Sequence, residues 1–259
     1  MVRPFLSHPS RLVVEQNTGD AVYPWDPSDP LDVEAAERKL EFSISWFADP
    51  IYFGHYPASM VKQLGDRLPT FTPEEAALVK GSNDFYGMNH YTANYIKHKT
   101  TPPEVDDFLG NLETLFVAKN GDSIGPETQS FWLRPNPQGF RNLLGWLSKR
   151  YGRPKIYCTE NGTSLKGEND LPREQILDDE FRAEYFRGYI GSLANAVEED
   201  NVDVRGYLAW SLMDNFEWAE GYETRFGVTY VDYEGGQKRY PKKSAKTVGP
   251  IFESLIKKE

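Results

Sequence analysis

Glu160 stands near the end of Ile156-Tyr157-Cys158-Thr159-Glu160-Asn161-Gly162, a short β-branched and aromatic run that presents a carboxylate and then turns. Strand alternation assigns Ile156, Cys158 and Glu160 to one face and Tyr157 and Thr159 to the other, so Glu160 ends a row that could point into a barrel. Asn161-Gly162 is a turn signal that stops the strand there. Such a carboxylate is placed for catalysis, although a solvated strand end has the same local pattern. A second constellation, Trp210 to Gly227, follows the strand-like Gly206-Tyr207-Leu208-Ala209. Its two indoles, three further aromatic rings and several carboxylates suit a sugar. Aromatic faces stack on the C–H faces of a pyranose, while Glu, Asn and indole N–H groups bond its hydroxyls. These aromatics are interleaved with polar residues too densely for a dry core.

The elements that must position these groups read as follows. Arg11 to Asn17 has strand composition, and Pro30 to Trp46 reads as a helix capped by Asp32, with Val33, Ala36, Leu40 and Ile44 on its apolar face. A short helix from Pro73 to Lys80 follows Thr72, its cap. Alternation puts Phe85, Gly87, Asn89 and Tyr91 on one face of a strand. Lys99 to Pro137 is expected to be a long loop region of the kind that shapes a substrate site. Phe140 to Tyr151 is an amphipathic helix feeding the Glu160 strand. Asp178 to Asp200 is the longest helix, with Phe181, Tyr185, Tyr189 and Leu193 as a seam. Gly227 to Tyr233 and Gln237 to Tyr240 flank Glu234-Gly235-Gly236 as a hairpin, and a helix runs from Ser244 to about Ile256.

Thr159-Glu160-Asn161-Gly162 and the aromatic loop together resemble glycoside hydrolase family 1, the β-glucosidases and their relatives, in particular the intracellular β-glucosidases of filamentous fungi. The resemblance implies that Glu160 is the nucleophile of a retaining β-glycosidase acting on β-glucosides or cello-oligosaccharides. Asn83 to Thr92 resembles the family's sixth barrel strand, which implies that Asn89 and Tyr91 face the active site, Tyr91 beside the nucleophile. By the same resemblance Glu217 and Trp218 hold the hydroxyls of the non-reducing sugar, Trp210 forms its stacking floor and Phe226 helps to close the pocket. Asp49 to Pro57 is similar to a further family segment with a structural role. The likeness runs from about Gly19 to the C-terminus; Arg11 to Asn17 could stand in for the fifth strand but departs from the family pattern.

Spacing sets the amount of barrel present. About 70 residues separate Phe85 from Ile156 and about 50 separate Ile156 from Tyr207, so the 259 residues hold about four units, whereas eight need over 400. The expected fold class is α/β, a partial (β/α)8 TIM barrel comprising about the last four βα units, in a single incomplete domain over residues 1–259 with 1–18 an irregular or atypical leader. The family's acid/base glutamate lies in an Asn-Glu-Pro motif, and this sequence contains none. The acid/base is therefore not identified, and the second reading is a non-catalytic sugar-binding or interaction protein derived from such an enzyme. Half a barrel also leaves sheet edges unpaired, which implies self-association or a complementing N-terminal half.

A net charge of −10 argues against nucleic-acid or anionic-membrane partners. No secretory h-region follows Met1 and no run of 18 apolar residues occurs, so a soluble, cytoplasmic protein is expected. The four histidines lack metal-ligand spacing; neither metal nor cofactor is implied. Lys238-Arg239, Lys242-Lys243 and Lys246 read as a solvated basic face. Cys158, the single cysteine, reads as a buried thiol. Asn161-Gly162-Thr163 matches a glycosylation sequon that overlaps the turn after Glu160 and is expected in a cleft.

Overall fold

Nearly continuous apolar or aromatic runs separated by helical segments favour parallel pairing, and the computed structural model, which describes residues 14–255, shows it. Strands β1 (Val14–Thr18), β3 (Phe85–Asn89), β6 (Ile156–Asn161) and β7 (Val204–Ala209) form one sheet in the order β1-β3-β6-β7. Every neighbouring pair in it is parallel. The strand expected from Arg11 to Asn17 is β1, inside a segment expected to be irregular; residues 1–13 lie outside the described residues.

Beyond the C-terminal ends of β1 and β3 the chain continues into β2 (Ala21–Pro24) and β4 (Ala93–His98), which pair in parallel, with β5 (Leu112–Leu115) antiparallel on β4. The Lys99 to Pro137 region is otherwise mostly irregular. The hairpin at Glu234-Gly235-Gly236 joins β8 (Thr229–Asp232) to β9 (Lys238–Pro241).

Helix starts follow local chemistry. In α1 (Pro30–Leu40) the cap is Asp29, whose carboxylate accepts from Leu31 N at 2.9 Å, with Pro30 opening the helix. Asp32, expected to cap, is instead buried, accepting from Asp26 N at 3.1 Å and His98 N at 2.8 Å. Val33 is exposed because Ala35 and Ala36 face the β2–β4–β5 sheet. The expected single helix to Trp46 passes through a π-helical turn, Glu41–Ser45, into α2 (Trp46–Phe53). After α3 (Ala58–Leu64), Thr72 and Glu75 form a reciprocal capping box at the start of α4 (Pro73–Val79).

One face of the four-stranded sheet is covered by α5 (Pro137–Arg150), α7 (Glu180–Glu198), which follows the short α6 (Arg173–Leu177), and α8 (Lys243–Leu255). Tyr86, Met88, Ile156 and Cys158, all fully buried, meet Leu143, Leu147, Phe186 and Tyr189 there. Tyr185, Tyr189 and Leu193 of the expected seam are buried, while Phe181 is only partly so. The opposite face carries Phe85 and Tyr157, half-buried, with ring centroids 4.6 Å apart. It is the inner face of a half barrel whose edges are β1 and β7.

Asp49 is a structural hub. Its carboxylate accepts from Arg150 Nε and Nη2 at 3.0 and 2.7 Å and from the Tyr151 hydroxyl at 2.8 Å, joining α2 to α5. Among the described residues, no helix is long and apolar enough to cross a membrane, and no group of three or more His, Cys, Asp or Glu could hold a metal ion.

Candidate active site

The parallel strands all deliver their C-terminal ends to one side, where the βα loops of such a sheet gather. There Tyr91, two residues beyond β3, donates its hydroxyl to Glu160 Oε2 at 2.6 Å. Simple alternation does not put it there. Ile156 and Cys158 point away from the inner face into the helix layer, and Tyr157 and Thr159 point inward. The β3–β6 register shifts after Met88 and Cys158, so Glu160 pairs with Asn89 and the row expected from Ile156 through Cys158 to Glu160 is broken. Asn89 Oδ1 accepts from Thr159 Oγ1 at 2.7 Å, fixing the inner-face side chains immediately below.

Asn161, expected in a cleft, is fully buried beneath the site. Its amide donates to His90 O at 2.7 Å and to the Tyr185 hydroxyl at 2.8 Å, and its Oδ1 accepts from the Tyr207 hydroxyl at 2.6 Å. Gly162 permits the next close approach: a Cβ there would lie 1.8 Å from Trp210 O. That approach, with Trp210 N donating to Asn161 O at 2.8 Å, seats Trp210 beside the end of β6.

The Trp210 indole N–H donates to Glu217 Oε1 at 3.0 Å. Glu217 is buried, and burial pushes its carboxyl above the ordinary glutamate range; Trp210 and Asn215 pull it down, and the charges of Glu220 and Glu160 raise it. Tyr91 is pushed far above the ordinary phenol range, first by burial, then by its bond to Glu160 and the charges of Glu160 and Glu217. It is therefore a neutral donor at any ordinary pH. Phe226 and Leu133 pack with Tyr91 in a small apolar cluster under Trp210, with the Phe226 and Tyr91 rings edge to face at 6.0 Å. The structure thus brings together Glu160, Tyr91, Asn89, Trp210, Glu217 and Phe226. Trp218 stands apart, 83% exposed at the start of a tight turn.

Sequence reasoning did not single out Trp132, whose ring meets Tyr91 edge to face at 5.9 Å. The one sign of it was its place in the long loop expected to shape a site. A buried ionic network behind the aromatic loop was also missed. Arg182, fully buried, binds Asp179 at 2.6 Å and Glu168 at 2.8 Å; Lys242, also fully buried, binds Glu168 at 2.5 Å and Asp214 at 3.3 Å; Arg225 binds Asp214 at 2.6 Å. Lys242 therefore does not belong to the solvated basic face expected of it. Burial drives Glu168 upward, but Arg182 and Lys242 together hold it below the usual glutamate range. Asp214 also accepts from Gly227 N and Val231 N, so the network clamps both ends of the loop that carries Glu217. Cys158 is fully buried, and burial raises its thiol well above the ordinary range, which leaves it inert.

A parallel β/α half barrel here gathers carboxylates, an indole and a buried phenol at its C-terminal strand ends. The family model for Glycosyl hydrolase family 1 matches residues 11–258, and the chain belongs to that family. It is 54% identical over 238 residues to beta-glucosidase 1B of Phanerodontia chrysosporium, a match covering 92% of this chain and 43% of that protein. Its fold superposes with a TM-score of 0.92 on a GH1 beta-glucosidase from Humicola insolens solved with glucose, at 76% identity over 93% of this chain and 51% of that one. Beta-glucosidase 2 of Trichoderma reesei, solved with Tris, also gives 0.92, at 67% identity over 95% of this chain and 52% of its own. The chain spans about half the length of the relatives it matches.

Proposed function

We propose that this chain carries the nucleophile half of a retaining β-glycosidase of the β-glucosidase type. Glu160 attacks the anomeric carbon of a β-glucoside or cello-oligosaccharide and forms a glycosyl ester, while Tyr91 holds its carboxylate. Asn89, Trp210, Glu217 and Phe226 bind the non-reducing sugar, and Trp218, which stands apart from them here, would join only by turning toward the bound sugar. The observation that carries this reading is the 2.6 Å bond from the Tyr91 hydroxyl to Glu160. A phenol that stays protonated can orient one carboxylate oxygen and leave the other for attack.

Retaining hydrolysis also needs an acid about 5 to 5.5 Å from the nucleophile. The 259 residues contain no Asn-Glu-Pro, so the acid is not identified among them. A dinitrophenyl β-glucoside separates the two halves of the chemistry, because its leaving group departs as a stable anion without a proton. The chain should release dinitrophenolate slowly and leave cellobiose uncleaved, lacking acid assistance of about 10² to 10⁴ fold. Efficient cleavage of cellobiose would show that a further carboxylate of this chain serves as the acid, with Glu217 and Glu220 as the first candidates. Release from neither substrate by folded protein would favour the sugar-binding or interaction reading.

The open edges β1 and β7 we propose to be covered by a second copy or by an N-terminal half, since unpaired N–H and C=O groups along a strand favour pairing. Exposed Leu208 and Leu212, on and just after β7, support this. Light scattering should report a species heavier than 29.6 kDa, and a sharp monomer with a cooperative melt would contradict it.

A further inference from the structure

A cavity of about 610 Å³ opens between β2, β4 and the turn after β5, away from Glu160. Its floor follows from strand register. Tyr23 and Tyr95 are paired across β2 and β4, and with Ile96 fully and Val22 partly buried against α1 they lie on the opposite face, their ring centroids 6.1 Å apart at 51°. One wall is Trp25 and Asp26, just past β2. The other is the turn Lys119-Asn120-Gly121-Asp122, tied to the first wall by Lys119 N donating to Trp25 O at 3.1 Å.

Two of the three charged side chains that line this cavity are paired with each other. Lys119 binds Asp26 at 2.5 Å, and together with Ser28 it holds the Asp26 carboxyl down at about 2. Lys97 Nζ sits 4.7 Å from the centroid of the Trp25 ring. Among the lining groups Asp26 and Lys119 neutralise each other, which leaves no cation free to select an anion. What remains is three aromatic rings together with the carboxylate of Asp122 and the amide of Asn120, which bond each other at 2.8 Å in a turn open to solvent. Apolar ring faces beside an amide and a carboxylate acceptor match a neutral polyhydroxylated ring, whose hydroxyls donate to the carboxylate, and the volume lies within the usual range of about 300–1,000 Å³ for ligand sites.

We propose that this cavity is a second carbohydrate site that takes a neutral pyranose unit of an oligosaccharide and is independent of the Glu160 cluster. The two are separated by the segment from Trp132 to Asn136. Trp132 packs on Tyr91, and Asn136 Oδ1 lies 3.4 Å from the Tyr23 hydroxyl.

The test is a titration of the full chain, ¹⁵N-labelled at tryptophan, with cellotetraose, the Trp25 indole signal being assigned by Trp25→Phe. The Trp25 signal should shift saturably in the millimolar range. Asp122→Ala, in an exposed turn where the fold tolerates change, and Tyr95→Ala should each weaken that titration at least fivefold, while Glu217→Gln should leave it within twofold. A Trp25 signal that does not move, or one whose titration is abolished by Glu217→Gln but untouched by Asp122→Ala, overturns the proposal. Equal affinity for anionic cellobionate would contradict the neutral ligand. None of these outcomes depends on whether Glu160 is a nucleophile.

Discussion

The Tyr91 hydroxyl and the Glu160 carboxylate lie 2.6 Å apart, although 69 positions separate them in the chain. The bond exists because β3 and β6 are parallel neighbours whose register slips after Cys158. Replacing Tyr91 by Phe keeps the ring packed against Phe226 and Trp132 and removes only this donor. A hydrogen bond to a charged group contributes about 1.5–3 kcal/mol. Tyr91→Phe should therefore slow dinitrophenolate release roughly 10- to 100-fold with little change in the melting transition; an unchanged rate would remove Tyr91 from the site.

Glu217 offers a carboxylate already oriented by the Trp210 indole. Moving one sugar hydroxyl leaves an acceptor unpaired, at a cost of about 1 to 3 kcal/mol. Glu217→Gln should weaken glucoside binding or turnover by that amount while circular dichroism stays native. Unaltered binding would take this loop out of the glycone site.

Lys242 answers for the negative charge of Glu168 and Asp214 in a fully buried setting. Lys242→Met leaves those carboxylates short of a partner, and breaking a buried ion pair from one side costs about 3–5 kcal/mol. Urea unfolding should show a loss of this order. Lys243→Met, at a solvent-exposed pair with Asp178, should leave the urea midpoint nearly unchanged. Equal effects of the two would contradict the network's role.

His90 is fully buried, stacked on Phe140 at 4.8 Å, with Nδ1 2.8 Å from Gly19 O and Nε2 without a partner. Burial lowers it from 6.5 to about 4, against a smaller upward pull from Gly19. Between those values the unfolded chain binds the extra proton, so the stability linked to His90 is complete above about 6.5 and disappears as pH falls through about 4. The linked difference is about 3 kcal/mol. Urea melts at pH 7 and pH 4.5 should show this slope in the native chain and lose it in His90→Phe; the same slope in both would refute the assignment.

Local pattern carried much of this architecture. The hairpin at Glu234-Gly235-Gly236, the Thr72 cap and the helix feeding Glu160 are set by turn residues, capping chemistry and periodicity, which act over a few positions. What failed depended on partners distant in the chain. Lys242 reads as one more surface cation until folding brings Glu168 and Asp214 beside it, and Asp32 reads as a cap until β4 presents His98 N. Alternation at Glu160 failed for a related reason, since a register shift is a property of two paired strands and neither sequence shows it alone. Trp132 lies in an irregular segment whose path is decided by tertiary contacts, so no period could mark it.

Trapping with a 2-fluoro β-glucoside bearing a dinitrophenyl leaving group tests the central claim most directly, because the fluorine slows hydrolysis of the glycosyl ester and no acid is needed to form it. Mass spectrometry of the digested chain should find one fluoroglucosyl adduct on the peptide containing Glu160, and Glu160→Gln should abolish it. An adduct on any other residue, or none on correctly folded protein at saturating reagent, would contradict the assignment of Glu160 as nucleophile.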